Sequence, residues 1–503
     1  GTSGNKAVLV SGDGELVGSC FSPYETFYPA PGWAEQKQDD WWQAVVNSTR
    51  DLLAAYPEET RDLSALCFSA QMMCCSPIDA EGRPLYNGII WSDQRADAER
   101  QRLVQAVGDE TAYRVTGTVM VANYLAAKML WLQEHYPDVY RRAAAFLQVK
   151  DYIIYKLTGE IITDYSDATG TNLFDIQKKE WSVDILREAG LDRSKLPDPV
   201  PSTTVVGSVS RDAADVTGLP EGLPVVAGGG DGPCATVGAG ATEAGTCYCV
   251  YGTSAWNSIT TSTPLYDKDR RTFILHHLDK ELYMAVGSMQ QAGGSFEWLE
   301  GWIGGVERLL AQETGLSSFD LLSQEAEKAQ PASGGALFLP YLMGERSPYW
   351  DSEVKGAFLG LNRKVGRPEM IRSVLEGTMY HLKLILDILE ESAGGIDAVR
   401  LIGGGFKNKF LCRLAADIWQ KKLIVMEVLD EATSLGAAVA GFVGTDFYPT
   451  FQDAEKCIRK ARREMPDPEI GHCYTAPYKI FTESYGALSG INKKIDTNLR
   501  EHG

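Results

Sequence analysis

Basic charge is in short supply along this chain. Its 503 residues include 48 lysines and arginines against 67 aspartates and glutamates, a formal net charge of −19. Nucleic-acid binding needs basic faces that displace counterions, so this balance excludes it as a principal activity. The same shortage opposes electrostatic attachment to an anionic membrane. No apolar run approaches the length of a membrane span and no signal peptide is visible, so a cytoplasmic protein is expected. The ten cysteines fall in no zinc-ligand spacing: Cys74 and Cys75 are adjacent, and Cys247 and Cys249 alternate along a strand-like run. Buried thiols of a cytosolic enzyme account for them best, ahead of metal ligation or disulfides. His276 and His277 lack the Cys, His or acidic spacing of a metal site and read as ordinary strand or surface residues. Two nucleotide signatures are missing as well. No G-x-G-x-x-G follows a strand and no G-x-x-x-x-G-K-[ST] occurs, which sets aside an ordinary dinucleotide site and a Walker loop.

Glycine, by contrast, is plentiful and patterned. The tripeptide Gly-Thr-Ser occurs at Gly1, Thr2, Ser3 and again at Gly252, Thr253, Ser254, about 250 residues later. Glycine lets backbone N–H groups approach a ligand and the hydroxyls add short donors, a combination suited to phosphate. The second copy follows the strand-like run 246–251, and two copies suggest two similar halves facing a cleft. A phosphate loop needs a strand leading into it, so residues upstream of Gly1 are expected to lie outside this numbering.

Residues 6–10 and 16–21 read as strands around Gly12-Asp13-Gly14, and residues 40–56 as a helix with Trp42, Val45, Val46, Leu52 and Leu53 on its apolar side. A short buried strand is expected at 63–68, a turn at Glu81-Gly82, and helices at 125–134 and 144–157. The second half repeats the plan: strands at 246–251, 272–278, 282–286, 399–402 and 423–428, and helices at 368–391, 408–420 and 434–443. A length of this order makes about two to four domains. We expect two related α/β domains, 1–244 and 245–503, with one doubly wound sheet as the runner-up.

Several strand ends carry polar or glycine-rich groups, where α/β proteins place ligands. Gly228, Gly229 and Gly230 lead into Asp231, which either takes a proton from a hydroxyl or caps the following helix. Gly403, Gly404 and Gly405 precede Asn408, allowing close approach of a flat ligand such as a nucleoside or simply making a tight turn. Gln71, Met72 and Met73 follow one strand; Trp91, Asp93 and Arg95 follow another. Asp93 and Arg95 can bind sugar hydroxyls or form a structural ion pair, and the two methionines are core residues by default. The run 344–351, with Glu345 and Arg346, reads as a brace for a cleft.

Together these segments resemble the FGGY carbohydrate kinases, above all the xylulokinases. Gly1–Ser3, 91–95, 228–231, 252–254, 344–348 and 403–408 fall in that family's order. A C-terminal signature matches at Gly356, Phe358, Gly360, Leu361, Glu369, Met370, Ser373, Val374, Leu375 and Glu376. An N-terminal one matches at Lys128, Trp131, Leu132, Glu134 and His135, with Leu125 standing where a small polar residue or proline is usual. The resemblance implies two ribonuclease H-like domains of the actin and Hsp70 ATPase type, with sugar and ATP meeting in the cleft and Mg2+ as cofactor. It implies that Asp231 is the catalytic base and that both Gly-Thr-Ser loops hold phosphate. Gly404, Gly405 and Asn408 would hold adenosine, and Gln71, Met72, Met73, Trp91 and Asp93 would line the sugar pocket. The family's magnesium-associated aspartate falls before Gly1, so no numbered residue carries it. The expected activity is ATP-dependent phosphorylation of a pentulose such as xylulose; another ketose or polyol, or a silent sugar sensor, is the alternative. A small-molecule sugar is the expected partner, and the sequence leaves a homodimer open. Met73 stands where xylulokinases have histidine, and Gly232 where they have glutamine, so the departures fall on the sugar side.

Overall fold

The computed structural model describes residues 1–502. Its second half is organised by a seven-stranded sheet in the order Phe273–His276, Tyr283–Met289, Ala255–Thr261, Cys247–Tyr251, Ala398–Ile402, Lys422–Met426, Lys460–Glu464. The first four strands pair antiparallel, Cys247–Tyr251 pairs parallel with Ala398–Ile402, that strand pairs parallel with Lys422–Met426, and the last is antiparallel. Alternating side chains of the central strands serve two cores, as the pleat demands. Cys247, Cys249, Val399, Leu401, Leu423 and Val425 face the helix Arg367–Ala393 and the helix Lys409–Trp419. Tyr248, Ile402 and Met426 face the opposite way, onto the helices Asp231–Gly238 and Ala432–Gly444.

Those two helices join the halves of the molecule, and they cross at backbone contact. A Cβ on Gly238 would lie 1.7 Å from the Ala432 carbonyl oxygen, and one on Gly436 1.9 Å from that of Cys234. Only glycine permits this crossing. It fixes the helix that begins at Asp231 against the second half of the chain.

The first half opens with the antiparallel hairpin of Gly4–Val10 and Leu16–Pro23, turned at Gly14 with φ +83°. The helix Gln38–Ala55 packs Trp41 and Val45 into a core shared with Ile78, Leu147, Ile153 and Val225. Two expectations are corrected here. Residues 63–68 form only a one-sided ladder, with Leu66 N–H donating to Pro224 O at 2.8 Å and Val226 N–H to Leu66 O at 2.8 Å. Regular pairing is confined to Ser69–Ala70 with Gly229–Gly230, because Gly228 at φ +66° breaks the ladder between them. The helix expected at 144–157 divides into the strand Ala145–Leu147 and the helix Val149–Thr158. Asp151 accepts the Gln148 N–H at 3.1 Å, which starts the helix there.

Candidate active site

Asp231 stands at the first turn of Asp231–Gly238, where the short strand Gly229–Gly230 ends. The glycines before it serve protein packing, which corrects the expectation that they admit a ligand. A Cβ on Gly228 would lie 2.1 Å from Phe68 O, and one on Gly230 2.5 Å from Met72 Sδ. Met72 is thereby seated against the turn that carries the aspartate. Asp231 opens to the cleft and accepts the Gly232 N–H at 2.9 Å. Protein crowding around the carboxyl removes water, and this desolvation raises its pKa above the ordinary aspartate value. The Gly1 nitrogen lies within electrostatic range of Asp231, so the first Gly-Thr-Ser loop is a neighbour of the carboxylate.

A buried charge cluster supports this turn from behind. Lys150 Nζ lies 3.0 Å from Asp151, 3.2 Å from Asp164 and 3.6 Å from Asp167, all fully or almost fully buried. Ser166 Oγ donates to Asp164 at 2.6 Å and accepts the Gly230 N–H at 3.0 Å. Sequence reasoning missed these residues. The available signal was the charged pair Lys150-Asp151 inside an otherwise apolar segment.

On the sugar side, Met73 has φ +65°, a conformation strained for a side chain of this size. Lys128, fully buried, holds it there: its ammonium donates to the carbonyls of Met73, Ile90 and Ile89 at 2.7, 2.8 and 3.2 Å. Burial lowers the Lys128 pKa to about 8. Met72 and Met73 form an apolar cluster with Phe273, Trp256 and Trp350 from the second half. Trp91 is half-buried and donates its indole N–H to Thr2 Oγ1 at 3.0 Å, linking the sugar side to the first loop.

Asp93 and Gln71 take a different place from the one expected. Asp93 is fully buried, and its carboxylate binds Arg95 and the Ala34 N–H, so the structural ion pair is what forms. Arg95 also pairs with Glu35 at 2.7 Å and lies over the rings of Trp33 and Trp131. Gln71, 1% exposed, donates to Gln36 Oε1 at 2.8 Å, and Gln36 donates in turn to Thr2 O at 2.7 Å. Both residues are therefore held inside the protein, while Met73 and Trp91 are half-buried beside them.

The second Gly-Thr-Ser loop leaves the strand Cys247–Tyr251 and is exposed. Its carbonyls are pinned by the start of the helix Gly293–Ile303: Gly293 N–H donates to Gly252 O at 2.9 Å and Gly294 N–H to Thr253 O at 3.0 Å. The helix N-terminus thus fixes the loop's shape, leaving the exposed Thr253 and Ser254 hydroxyls to meet an anion. The glycine run 403–405 leaves the neighbouring parallel strand, with Ile402 in register with Val250. Two of its glycines are used for packing: a Cβ on Gly403 would lie 2.6 Å from Tyr251 O, and one on Gly405 2.3 Å from the Tyr251 ring. Gly404 is exposed, with Asp430 Oδ1 3.3 Å from where its Cβ would lie. Asn408 caps the following helix, accepting from Phe410 N–H at 2.9 Å and Leu411 N–H at 3.2 Å and donating to Ser323 Oγ at 2.7 Å.

The run 344–351 braces the cleft through Glu345, whose Oε1 accepts the N–H groups of Gln290 and Arg346, each at 2.8 Å. Burial pushes the Glu345 pKa up to about 8.

Exposed phosphate-type loops at one end of parallel strands, a desolvated carboxylate across from them and an apolar sugar-side wall are the parts of a phosphotransferase cleft. Sequence models of the FGGY family of carbohydrate kinases match the chain, the N-terminal domain over residues 1–238 and the C-terminal domain over residues 247–445. The chain belongs to the FGGY family of carbohydrate kinases. The kinase is 31% identical to a xylulose kinase of Escherichia coli over 97% of this chain and 98% of that one. To a gluconokinase of Bacillus subtilis it is 28% identical over 96% of this chain and 93% of the other. Among solved structures, a ligand-bound xylulose kinase and a gluconate kinase, both of Lactobacillus acidophilus, each superpose at TM-score 0.89 with 25% identity, covering 98% of both chains. The fold is that family's two-domain, actin- and Hsp70-like ATPase architecture, and the activity is ATP-dependent phosphorylation of a sugar.

The residues present fit ATP: exposed Gly252, Thr253 and Ser254 suit its phosphates, and exposed Gly404 suits its nucleoside. They do not form a protein cage for magnesium. Among the described residues, the trio with metal-ligand spacing is Glu99, Glu134 and His135, which includes no residue of the two loops and not Asp231. Mg2+ in such sites takes most of its ligands from phosphates and water.

Proposed function

We propose that the kinase transfers a phosphoryl group to a hydroxyl of a pentulose, xylulose being the first candidate, with Asp231 as general base. The position of Asp231 carries this reading. It is a desolvated carboxylate at the mouth of the cleft, flanked by the first Gly-Thr-Ser loop and by Met72. Its raised pKa makes it a better proton acceptor than an ordinary aspartate, while it remains ionised at higher pH. ATP, when bound, supplies the phosphoryl group and Mg2+ offsets its charge. The chain orients the two substrates: Trp91 and Met73 wall the sugar, and the loops at Gly1 and Gly252 receive phosphate.

Xylulose comes first because xylulose kinases match nearly the whole chain at 29–31% identity. Gluconokinases among the relatives make an aldonate the second reading. An ADP-release assay with D-xylulose, other ketopentoses, hexuloses, tetritols and gluconate tests both. Turnover that depends on one sugar class supports the kinase reading, sugar-independent ATP hydrolysis contradicts it, and sugar binding without turnover marks a silent sensor.

A further inference from the structure

One cation in the cleft has no hydrogen-bond or ion-pair partner among the described residues. Arg346 is half-buried in the run 344–351, and its guanidinium makes no hydrogen bond and no ion pair among the described residues. Its neighbour Glu345 is turned away: Oε1 is bound to two backbone N–H groups, and Oε2 faces His381 Nε2 at 3.5 Å. Glu345, pushed up to about 8, is also mostly uncharged at neutral pH and offsets little of the positive charge. Two structural arginines elsewhere in the molecule are fully paired. Arg95 binds Asp93 and Glu35, and Arg372 binds Glu376, Tyr474 and the Ala329 carbonyl. A guanidinium presents five donors, and those of Arg346 are neither used by the protein nor sealed from the cleft, so they are free to meet a ligand there.

Its surroundings are those of the sugar pocket. The guanidinium carbon lies 5.8 Å from the centre of the Trp91 ring, and the cation attracts the hydroxyl of buried Tyr124. Asn123, next to Tyr124, donates to Trp91 O at 2.9 Å. Trp350, from the same run as Arg346, packs with Met72 and Met73. Thus Arg346 projects from the second half of the chain onto the wall built by the first half, beside a methionine that donates nothing.

We propose that Arg346 is a substrate-binding residue, whose guanidinium donates hydrogen bonds to sugar oxygens other than the one activated by Asp231. It supplies from one half of the molecule the donor that Met73 lacks on the other. The inference rests on the sugar-kinase reading and deepens it, because the sugar then bridges the two halves before phosphoryl transfer.

The test compares wild type with Arg346→Met, Arg346→Gln and Arg346→Lys. Each is assayed with D-xylulose, 1-deoxy-D-xylulose, xylitol and gluconate, with calorimetric ADP binding and thermal unfolding measured alongside. Arg346→Met is expected to raise KM for the preferred substrate tenfold or more while ADP affinity is unchanged. The loss should shrink for the analogue that lacks the contacted oxygen, and Arg346→Gln and Arg346→Lys should restore part of the affinity. Loss concentrated on gluconate identifies a carboxylate as the acceptor; loss concentrated on the xylulose series identifies a hydroxyl or carbonyl. An equal loss on every substrate, which a merely structural brace would give, overturns the proposal, as does no loss at all. Wild-type turnover with none of these compounds overturns the underlying kinase reading instead, a result distinct from an unchanged Arg346 variant.

Discussion

Replacing Glu345 with glutamine should stabilise the protein at neutral pH, by an amount that grows with pH. The carboxyl titrates at 4.5 when exposed and is pushed up to about 8 by burial, with its side chain 0% exposed. Because the folded value is the higher one, the group's contribution to stability is whole below pH 4.5, where both states hold the proton. It then declines as the unfolded chain alone ionises, at about 1.4 kcal/mol per pH unit. By pH 7 the loss is about 3 kcal/mol, and near pH 8 it levels at about 5 kcal/mol. Glutamine cannot ionise, yet its carbonyl can still accept the Gln290 and Arg346 N–H groups, so the variant escapes this decline. At roughly 2–4 °C per kcal/mol for a domain of this size, the variant should melt about 6–12 °C above wild type at pH 7. Differential scanning calorimetry from pH 5 to pH 8 reads the gap. A gap that stays constant across that range, or that closes with rising pH, refutes the reasoning.

Lys128→Met should leave the Met73 carbonyl without a donor, while Ile89 O and Ile90 O keep the N–H groups of Cys75 and Asp93, and should release Met73 from its left-handed conformation. The orphaned carbonyl costs about 1–3 kcal/mol, so a lower melting temperature and a raised KM for sugar are expected. ADP affinity should be unchanged, and calorimetry showing an effect on ADP alone would contradict the placement. Thr253→Val removes a hydroxyl from the second loop while keeping its shape. Nucleotide affinity or turnover should fall with sugar affinity intact; separate titrations with each ligand check this, and a change confined to sugar would count against the loop's role.

Much of the site was legible in residues that cannot do otherwise. The repeated Gly-Thr-Ser, the strand-glycine-helix junctions and the helical spacing of Arg367–Ala393 all reflect local backbone demands, and all appear in the fold. What failed was the choice between two uses of the same residue. Gly228, Gly230, Gly403 and Gly405 are required by neighbouring backbone and side chains, which a sequence does not place next to them. Asp93 lies two residues from Arg95, and only their shared burial decides for an ion pair over a sugar contact. That Asn408 also caps its helix shows only once the N–H groups of Phe410 and Leu411 are seen to take its oxygen. The Lys150 cluster adds Asp164 and Asp167 to the adjacent pair Lys150-Asp151, and only that pair, inside an apolar segment, is visible locally. Lys128 was visible as part of a family signature, but its hold on the Met73 carbonyl is a matter of tertiary structure.

The most direct test of the account is the turnover of Asp231→Asn beside wild type, with sugar and nucleotide binding measured on both. Asparagine keeps the shape of the side chain and can still accept the Gly232 N–H, but it cannot take a proton from a hydroxyl. Relief of the desolvated charge should also raise the melting temperature at neutral pH, with the difference fading in acid, since the raised pKa makes the ionised form the costly one. If Asp231 is the general base, kcat falls about 10²–10⁴-fold while both ligands bind with near-normal affinity. Near-wild-type turnover in Asp231→Asn would contradict the account.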